Sequence, residues 1–192
     1  VEKKKYNIIY ADPPWKYSNV PMDATTTKKY RSPEAHYNTM CIDDIKLLPV
    51  QSICEDNCVL FIWVTFPLLQ EGLDVIKSWG FEYKTVGFTW VKLNKRKSTY
   101  FVGMGSYTRS NAELCLLATK GKPLKRISHS VSQVVDTKIR EHSRKPDVIR
   151  TNIVELFGDL PRIELFARQE FPGWDVWGNE VNCSIDLYEK EI

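Results

Sequence analysis

Apolar residues fall in short dense runs, separated by polar stretches that carry glycine, proline and charge. This is the punctuation of alternating strands and helices. Residues 6–11, Tyr-Asn-Ile-Ile-Tyr-Ala, are apolar almost throughout and predict a buried strand. Residues 41–57 predict a helix with Ile42, Ile45, Leu48 and Ile53 on its apolar side, broken or restarted at Pro49. Residues 58–64 predict a second buried strand, and 66–79 an amphipathic helix closed by Gly80. A third strand over 81–91 is rich in β-branched and aromatic residues. A fourth over 113–119 stops at Gly121. A helix over 146–157, with Pro146 near its first turn, leads to a fifth strand at 163–167 and a short sixth at 174–177.

Strands alternating with helices predict an α/β domain, a mainly parallel sheet with helices on both faces. No helix separates the third strand from the fourth, so one edge of the sheet is expected to be antiparallel. Residues 16–39 and 92–109 read as loops, and a loop as long as the first is usually functional or disordered. Residues 120–142 give no clear period. With no linker or repeat, residues 1–182 read as one domain and 183–192 as a polar, loosely attached tail.

A chain of 192 residues can bury a full core. Its 43% hydrophobic and 27% charged residues place it among globular proteins and away from disordered or fibrous chains. It has no run long enough to span a membrane and no export segment, which predicts a cytoplasmic protein. Five cysteines, an odd number, fit reduced thiols in that compartment. Cys54 and Cys58 are spaced by one helical turn, but no second pair or spaced histidine completes a metal set, so no metal is expected. A net charge of +3 permits nucleic-acid binding without requiring it.

The first strand ends in Asp12-Pro13-Pro14-Trp15. The C-terminal ends of strands are where open α/β sheets build their sites. The prolines stiffen the turn and leave bare carbonyls beside the Asp12 carboxylate. The 6-amino group of adenine is a poor nucleophile because its lone pair is delocalised into the ring. Asp12 and the Pro13 carbonyl could each accept one of its N–H groups, favour a pyramidal nitrogen and stabilise developing positive charge. Trp15 could stack on a base swung out of its helix. S-adenosylmethionine is the usual methyl donor for such a nitrogen. This role requires a carboxylate facing the donor pocket and free of an internal ion pair. The plain alternative is a turn after a strand.

The C-terminal part has the order expected of a nucleoside-cofactor site. Glu164 and Arg168 bracket the fifth strand, and Gly178-Asn179-Glu180 follows the sixth. Glu180 could hold ribose hydroxyls, Asn179 the adenine or ribose edge, and Arg168 the ribose or carboxylate. The alternative is a Glu164–Arg168 ion pair and an ordinary turn. The glycine-rich dinucleotide fingerprint is absent. Residues 140–147 read as a charged helix cap or a cofactor-facing loop. Arg109 and Asn111 sit in a solvated loop, or close over donor or base.

Asp12-Pro13-Pro14-Trp15, Arg109-Ser110-Asn111-Ala112-Glu113, Ser143-Arg144-Lys145-Pro146-Asp147, Ile163-Glu164-Leu165-Phe166-Ala167-Arg168 and Trp177-Gly178-Asn179-Glu180 occur in this order. Over residues 6–181 the chain resembles the MT-A-seventy family of adenine methyltransferases, most of all its short bacterial and phage members. The resemblance implies a Rossmann-like methyltransferase fold with the catalytic motif ahead of the cofactor strand. It also implies methyl transfer from S-adenosylmethionine to the adenine 6-amino group. Asp12, Pro13, Pro14 and Trp15 carry over as catalytic. Glu164, Arg168, Asn179 and Glu180, with Ser143 and Lys145, carry over as cofactor contacts, and Asp12 and Asn111 are expected beside them. Trp15, Tyr37 and Arg109 are the substrate contacts, with 21–39 as a gate. The implied partner is single- or double-stranded DNA, with RNA or a non-catalytic subunit role as alternatives, no membrane, and room for a homodimer or a partner subunit. Ala112 departs from the lysine that the eukaryotic mRNA enzyme carries beside the glutamate opening the fourth strand.

Overall fold

The computed structural model describes residues 4–16, 39–105, 107–140 and 144–188. The elements are β1 (Tyr6–Ala11), α1 (Ile42–Lys46), β2 (Cys54–Val64), α2 (Leu69–Ser78), β3 (Glu82–Leu93), β4 (Ala112–Lys120), β5 (Val134–Lys138), α3 (Val148–Phe157), β6 (Arg162–Leu165) and β7 (Asp175–Trp177). One seven-stranded sheet runs in the order β5-β3-β4-β2-β1-β6-β7. All neighbours of β1 and β6 are parallel, and β3 pairs with β5 in parallel. Only β4 is reversed, antiparallel to both β2 and β3.

Alternation along the central strands divides the core into two layers. Ile9, Leu60, Ile62 and Val64 face one side with Ile45 of α1 and Val75 and Ile76 of α2. Ile8, Tyr10, Val59, Phe61 and Trp63 face the other with Ile149 and Ile153 of α3. Helices therefore cover both faces, and the continuous apolar runs of β1 and β2 follow from this double burial. Trp79 donates from Nε1 to the Ile45 carbonyl at 2.8 Å, locking α2 to α1. Gly80, at φ +76°, ends α2 as its sequence predicts.

Several expectations are corrected. The reversed strand lies inside the sheet, because β5 adds in parallel outside β3. β5 itself comes from the stretch without a period: it is a short edge strand, and an edge imposes no strict apolar alternation. The helix expected over 41–57 stops at Lys46; a 3-10 turn at Val50–Ile53 follows Pro49, and β2 begins at Cys54. Cys54 and Cys58 are thus buried strand residues. Residues 183–188 are docked: Ser184 Oγ accepts from the Val176 N–H at 2.9 Å, and Leu187 is fully buried. Among the described residues no helix is long and apolar enough to cross a membrane.

Candidate active site

β1, β2, β6 and β7 deliver their C-terminal ends to one edge of the sheet, and β4 begins there. Asp12 leaves β1 at its centre, its N–H directed at the Leu165 carbonyl of β6 at 3.5 Å. The prolines supply carbonyls that the fold then uses. Pro13 accepts from the Trp15 N–H at 2.9 Å, and Pro14 from the Met40 N–H at 2.8 Å. Trp15 is only 7% exposed and donates from Nε1 to the Trp63 carbonyl at 2.9 Å. This corrects the expectation of an open stacking face: burial of the ring and its buried hydrogen bond make the indole an anchor under the turn.

Asp12 is not free either, and the expectation of a carboxylate without an internal ion pair is corrected. Both of its carboxylate oxygens lie 2.9 Å from Lys145 Nζ. Lys145 also reaches Glu113 Oε2 at 3.3 Å, and Glu113 in turn binds Lys92. Four alternating charges thus run from the Asp12 turn across the start of β4 to the end of β3. The two ammonium groups lie over indoles, Lys145 Nζ 5.5 Å from the Trp63 ring and Lys92 Nζ 4.9 Å from Trp90. Burial pushes the Asp12 carboxyl up, and the opposing pull of Lys145 does not cancel this. Burial also acts on Glu113, but Lys145 and Lys92 together outweigh it and hold that carboxyl below its ordinary value. Burial disfavours the Lys145 ammonium, yet Asp12 and Glu113 reverse the effect and raise its pKa. An ionised carboxylate offers about four lone-pair sites. Asp12 keeps 23% of its side-chain surface, so Lys145 does not exhaust it.

A second charged layer supports the first. Glu164, 4% exposed, has both oxygens 2.6 Å from the Arg150 guanidinium. Arg150 lies over the Tyr10 ring at 5.4 Å and reaches Asp147, which also binds Arg140 and Gln169. Glu164, expected to contact the cofactor, is engaged at both oxygens by Arg150, and no Glu164–Arg168 pair forms among the described residues. Arg168 Nε instead binds Glu180 Oε1 at 2.9 Å, with both half-exposed.

Asn179 and Glu180 line an open cleft of about 510 Å³ with Gln169, Glu170, Val181 and Asn182. Asp12 is not among its lining residues; Gln169, which is, donates to Asp147 at 3.3 Å. The residues lining the cleft follow β6 and β7, whose ends lie in close contact. A Cβ on Gly178 would lie 2.2 Å from the Ala167 carbonyl oxygen, and Phe166 adopts φ +61°, rare for a residue other than glycine. Its volume, carboxamides and acid fit a nucleoside with ribose hydroxyls. Asn111 sits at the root of β4, its carbonyl accepting from the Lys92 N–H at 2.9 Å, and Arg109 is exposed nearby. Tyr37, Ser143 and residues 21–38 of the expected gate lie outside the described residues. Among those described, no group of three or more His, Cys, Asp or Glu could hold a metal.

Reasoning from residue types did not single out Arg150, Glu113 or Lys92. Signals existed: Arg150 interrupts an apolar stripe between Ile149 and Ile153, and Glu113 enters a buried strand, where an acid needs a cation.

One reversed strand inside an otherwise parallel sheet, with helices on both faces, is the arrangement of the S-adenosylmethionine-dependent methyltransferase fold. The order is permuted, because β1 with the Asp-Pro-Pro-Trp turn precedes the β6–β7 cleft strands in the chain. The chain belongs to the MT-A70 family, whose profile matches residues 6–180. It is 38% identical to the type II methyltransferase M.MunI of a Mycoplasma species, over 93% of this chain and 79% of that protein. It is 30% identical to the N(6)-adenosine-methyltransferase MT-A70-like protein of Drosophila melanogaster and 29% identical to the human N(6)-adenosine-methyltransferase catalytic subunit METTL3. Each of these matches covers 98% of this chain but only 29% and 30% of the longer eukaryotic protein.

Proposed function

We propose that this protein transfers a methyl group from S-adenosylmethionine to the 6-amino group of adenine in DNA. The observation that carries the reading is the proline-locked Asp12 turn on the central strand, sharing one sheet edge with the nucleoside-sized cleft. When bound, S-adenosylmethionine supplies an electrophilic sulfonium methyl. Asn179 and Glu180 bind its nucleoside part, with Arg168 at the rim. Lys145, Asn111 and Ser143 serve its charged methionine end. Lys145, which would hold the carboxylate of the donor, also holds Asp12 in place through their ion pair.

Asp12 then accepts one N–H of an extruded adenine, and the unused lone pair of the Pro13 carbonyl accepts the other. Burial strengthens Asp12 as an acceptor for the proton that the nitrogen must lose. Pro14 and Trp15 fix the turn, and Tyr37 and Arg109 contact the base or its strand. DNA is favoured because M.MunI is a type II methyltransferase matched over most of its length. The setting this implies is a bacterial or phage-infected cytoplasm.

Incubating the protein with labelled donor and either DNA or RNA, with Asp12→Ala as control, tests this. Wild type is expected to form 6-methyladenine in DNA and Asp12→Ala none. Methylation of RNA alone overturns the choice of polymer, and no 6-methyladenine in either overturns the activity.

A further inference from the structure

Between β3 and β4 the chain leaves the site edge of the sheet over residues 94–111 and folds into two turns. Asn94 closes the first: its N–H donates to the Thr99 carbonyl at 2.9 Å, and its side-chain amide donates to Thr99 Oγ1 and the Tyr100 carbonyl at 3.0 Å. The Phe101 N–H then returns to the Lys92 carbonyl at 2.8 Å, and the Gly103 N–H to the Ser110 carbonyl at 3.0 Å, which closes the second turn. At its tip the backbone is so close that a Cβ on Gly105 would lie 2.1 Å from the Thr108 oxygen.

The two tips differ in chemistry. The first presents Lys95, Arg96 and Lys97, all exposed. The second presents Tyr107 with 103% relative exposure, beside exposed Arg109. Tyr100, Val102 and Met104 between them are 65%, 64% and 71% exposed. Residues 94–111 contain four cations and no acid, and no ion pair of those cations occurs among the described residues. Exposed apolar side chains concentrated in one cationic segment mark a binding surface, not a solvated loop. Self-association through this face would set like charges against each other, whereas a polyanion complements it. Its two roots, Lys92 and Glu113, belong to the charge chain that ends at Asp12, so the tips are tied to the catalytic turn.

We propose that this excursion docks duplex DNA. Lys95, Arg96 and Lys97 run along phosphates, and Tyr107 enters the base stack beside the target, filling the space vacated by the extruded adenine. The inference rests on the DNA-methylating reading above.

Wild type, Tyr107→Ala, Tyr107→Phe and a Lys95→Ala/Arg96→Ala/Lys97→Ala triple variant are assayed on a plasmid-derived duplex fragment and on its separated strands. Calorimetric S-adenosylmethionine binding serves as the check on folding. Tyr107→Ala is expected to lower the duplex-to-single-strand ratio of kcat/KM by about tenfold or more, with Tyr107→Phe restoring it. By fluorescence anisotropy the triple variant is expected to weaken duplex binding and to reduce the slope of log K against log salt by about 2 to 3. If wild type methylates DNA while Tyr107→Ala keeps the wild-type ratio, the docking role fails and the activity stands. Loss of a wild-type dimer in the variants, seen by light scattering, makes the face a protein interface and overturns the proposal. A wild type that neither binds nor methylates duplex brings down both readings.

Discussion

At the scale of the residue, Lys145 carries the most. It is the cation between two acids, Asp12 and Glu113, at the junction of the Asp12 turn and β4. Removing one member of a buried ion pair costs more than the pair contributes, because the partner charge is left uncompensated. Lys145→Met is therefore expected to destabilise the protein at neutral pH by about 3 kcal/mol. For a chain of this size that lowers Tm by roughly 6–12 °C. The deficit shrinks as pH falls and the two stranded carboxyls protonate; thermal denaturation across pH checks both parts. The sequence made Asp12 visible because an acid before two prolines has few structural reasons to be there. It could not reveal that Trp15 would be consumed by the core. Indole burial and its bond to the Trp63 carbonyl depend on β2, which lies far along the chain from the turn. Glu164 misled for the same reason: its partner Arg150 comes from α3 and makes no local pattern with it.

Among elements, those with strong apolar periods were legible: β1, the body of β2, α2, β3, β4, α3 and the β6–β7 pair. What escaped was decided by neighbours. β5 exists only because β3 offers an open edge, and the start of β2 is strand only because Cys54 pairs with Tyr6 of β1. The β6–β7 pair also shows how an element shapes the site. Its ends meet so closely at Gly178 that a single methyl group would meet the Ala167 backbone. Gly178→Ala is expected to push these ends apart, distort the cleft holding Asn179 and Glu180, and weaken S-adenosylmethionine binding at least tenfold by calorimetry. Gly80→Ala, which strains only the end of α2 away from that edge, is the control expected to lower Tm while leaving the affinity in place.

Over the whole molecule, charge is unevenly spread. The net excess of +3 is smaller than the four cations of residues 94–111, so the rest of the chain is slightly acidic. Buried carboxyls pull stability in two directions with pH. Glu113 is held low despite its burial by Lys145 and Lys92, and Asp147 by Arg140, so their stabilisation is present above ordinary carboxylate pKa values and is lost as pH falls through the lowered ones. Asp12 and Glu164 are raised by burial, so their contribution is present below the ordinary values and is lost as pH rises through the raised ones. Asp12→Asn is therefore expected to gain Tm relative to wild type on going from acidic to neutral pH while losing activity, a trade expected where catalysis needs an uncomfortable acid. A Tm difference flat with pH refutes this. The permuted strand order has a further consequence during synthesis. β1 leaves the ribosome early, yet its neighbour β6 and the cleft-forming β7 emerge only after β5 and α3. The nascent chain must carry a buried apolar strand with one edge unpaired until β6 emerges, and a product ending before Trp177 lacks the β7 side of the cleft. Premature termination thus yields aggregation-prone fragments and no partially competent enzyme.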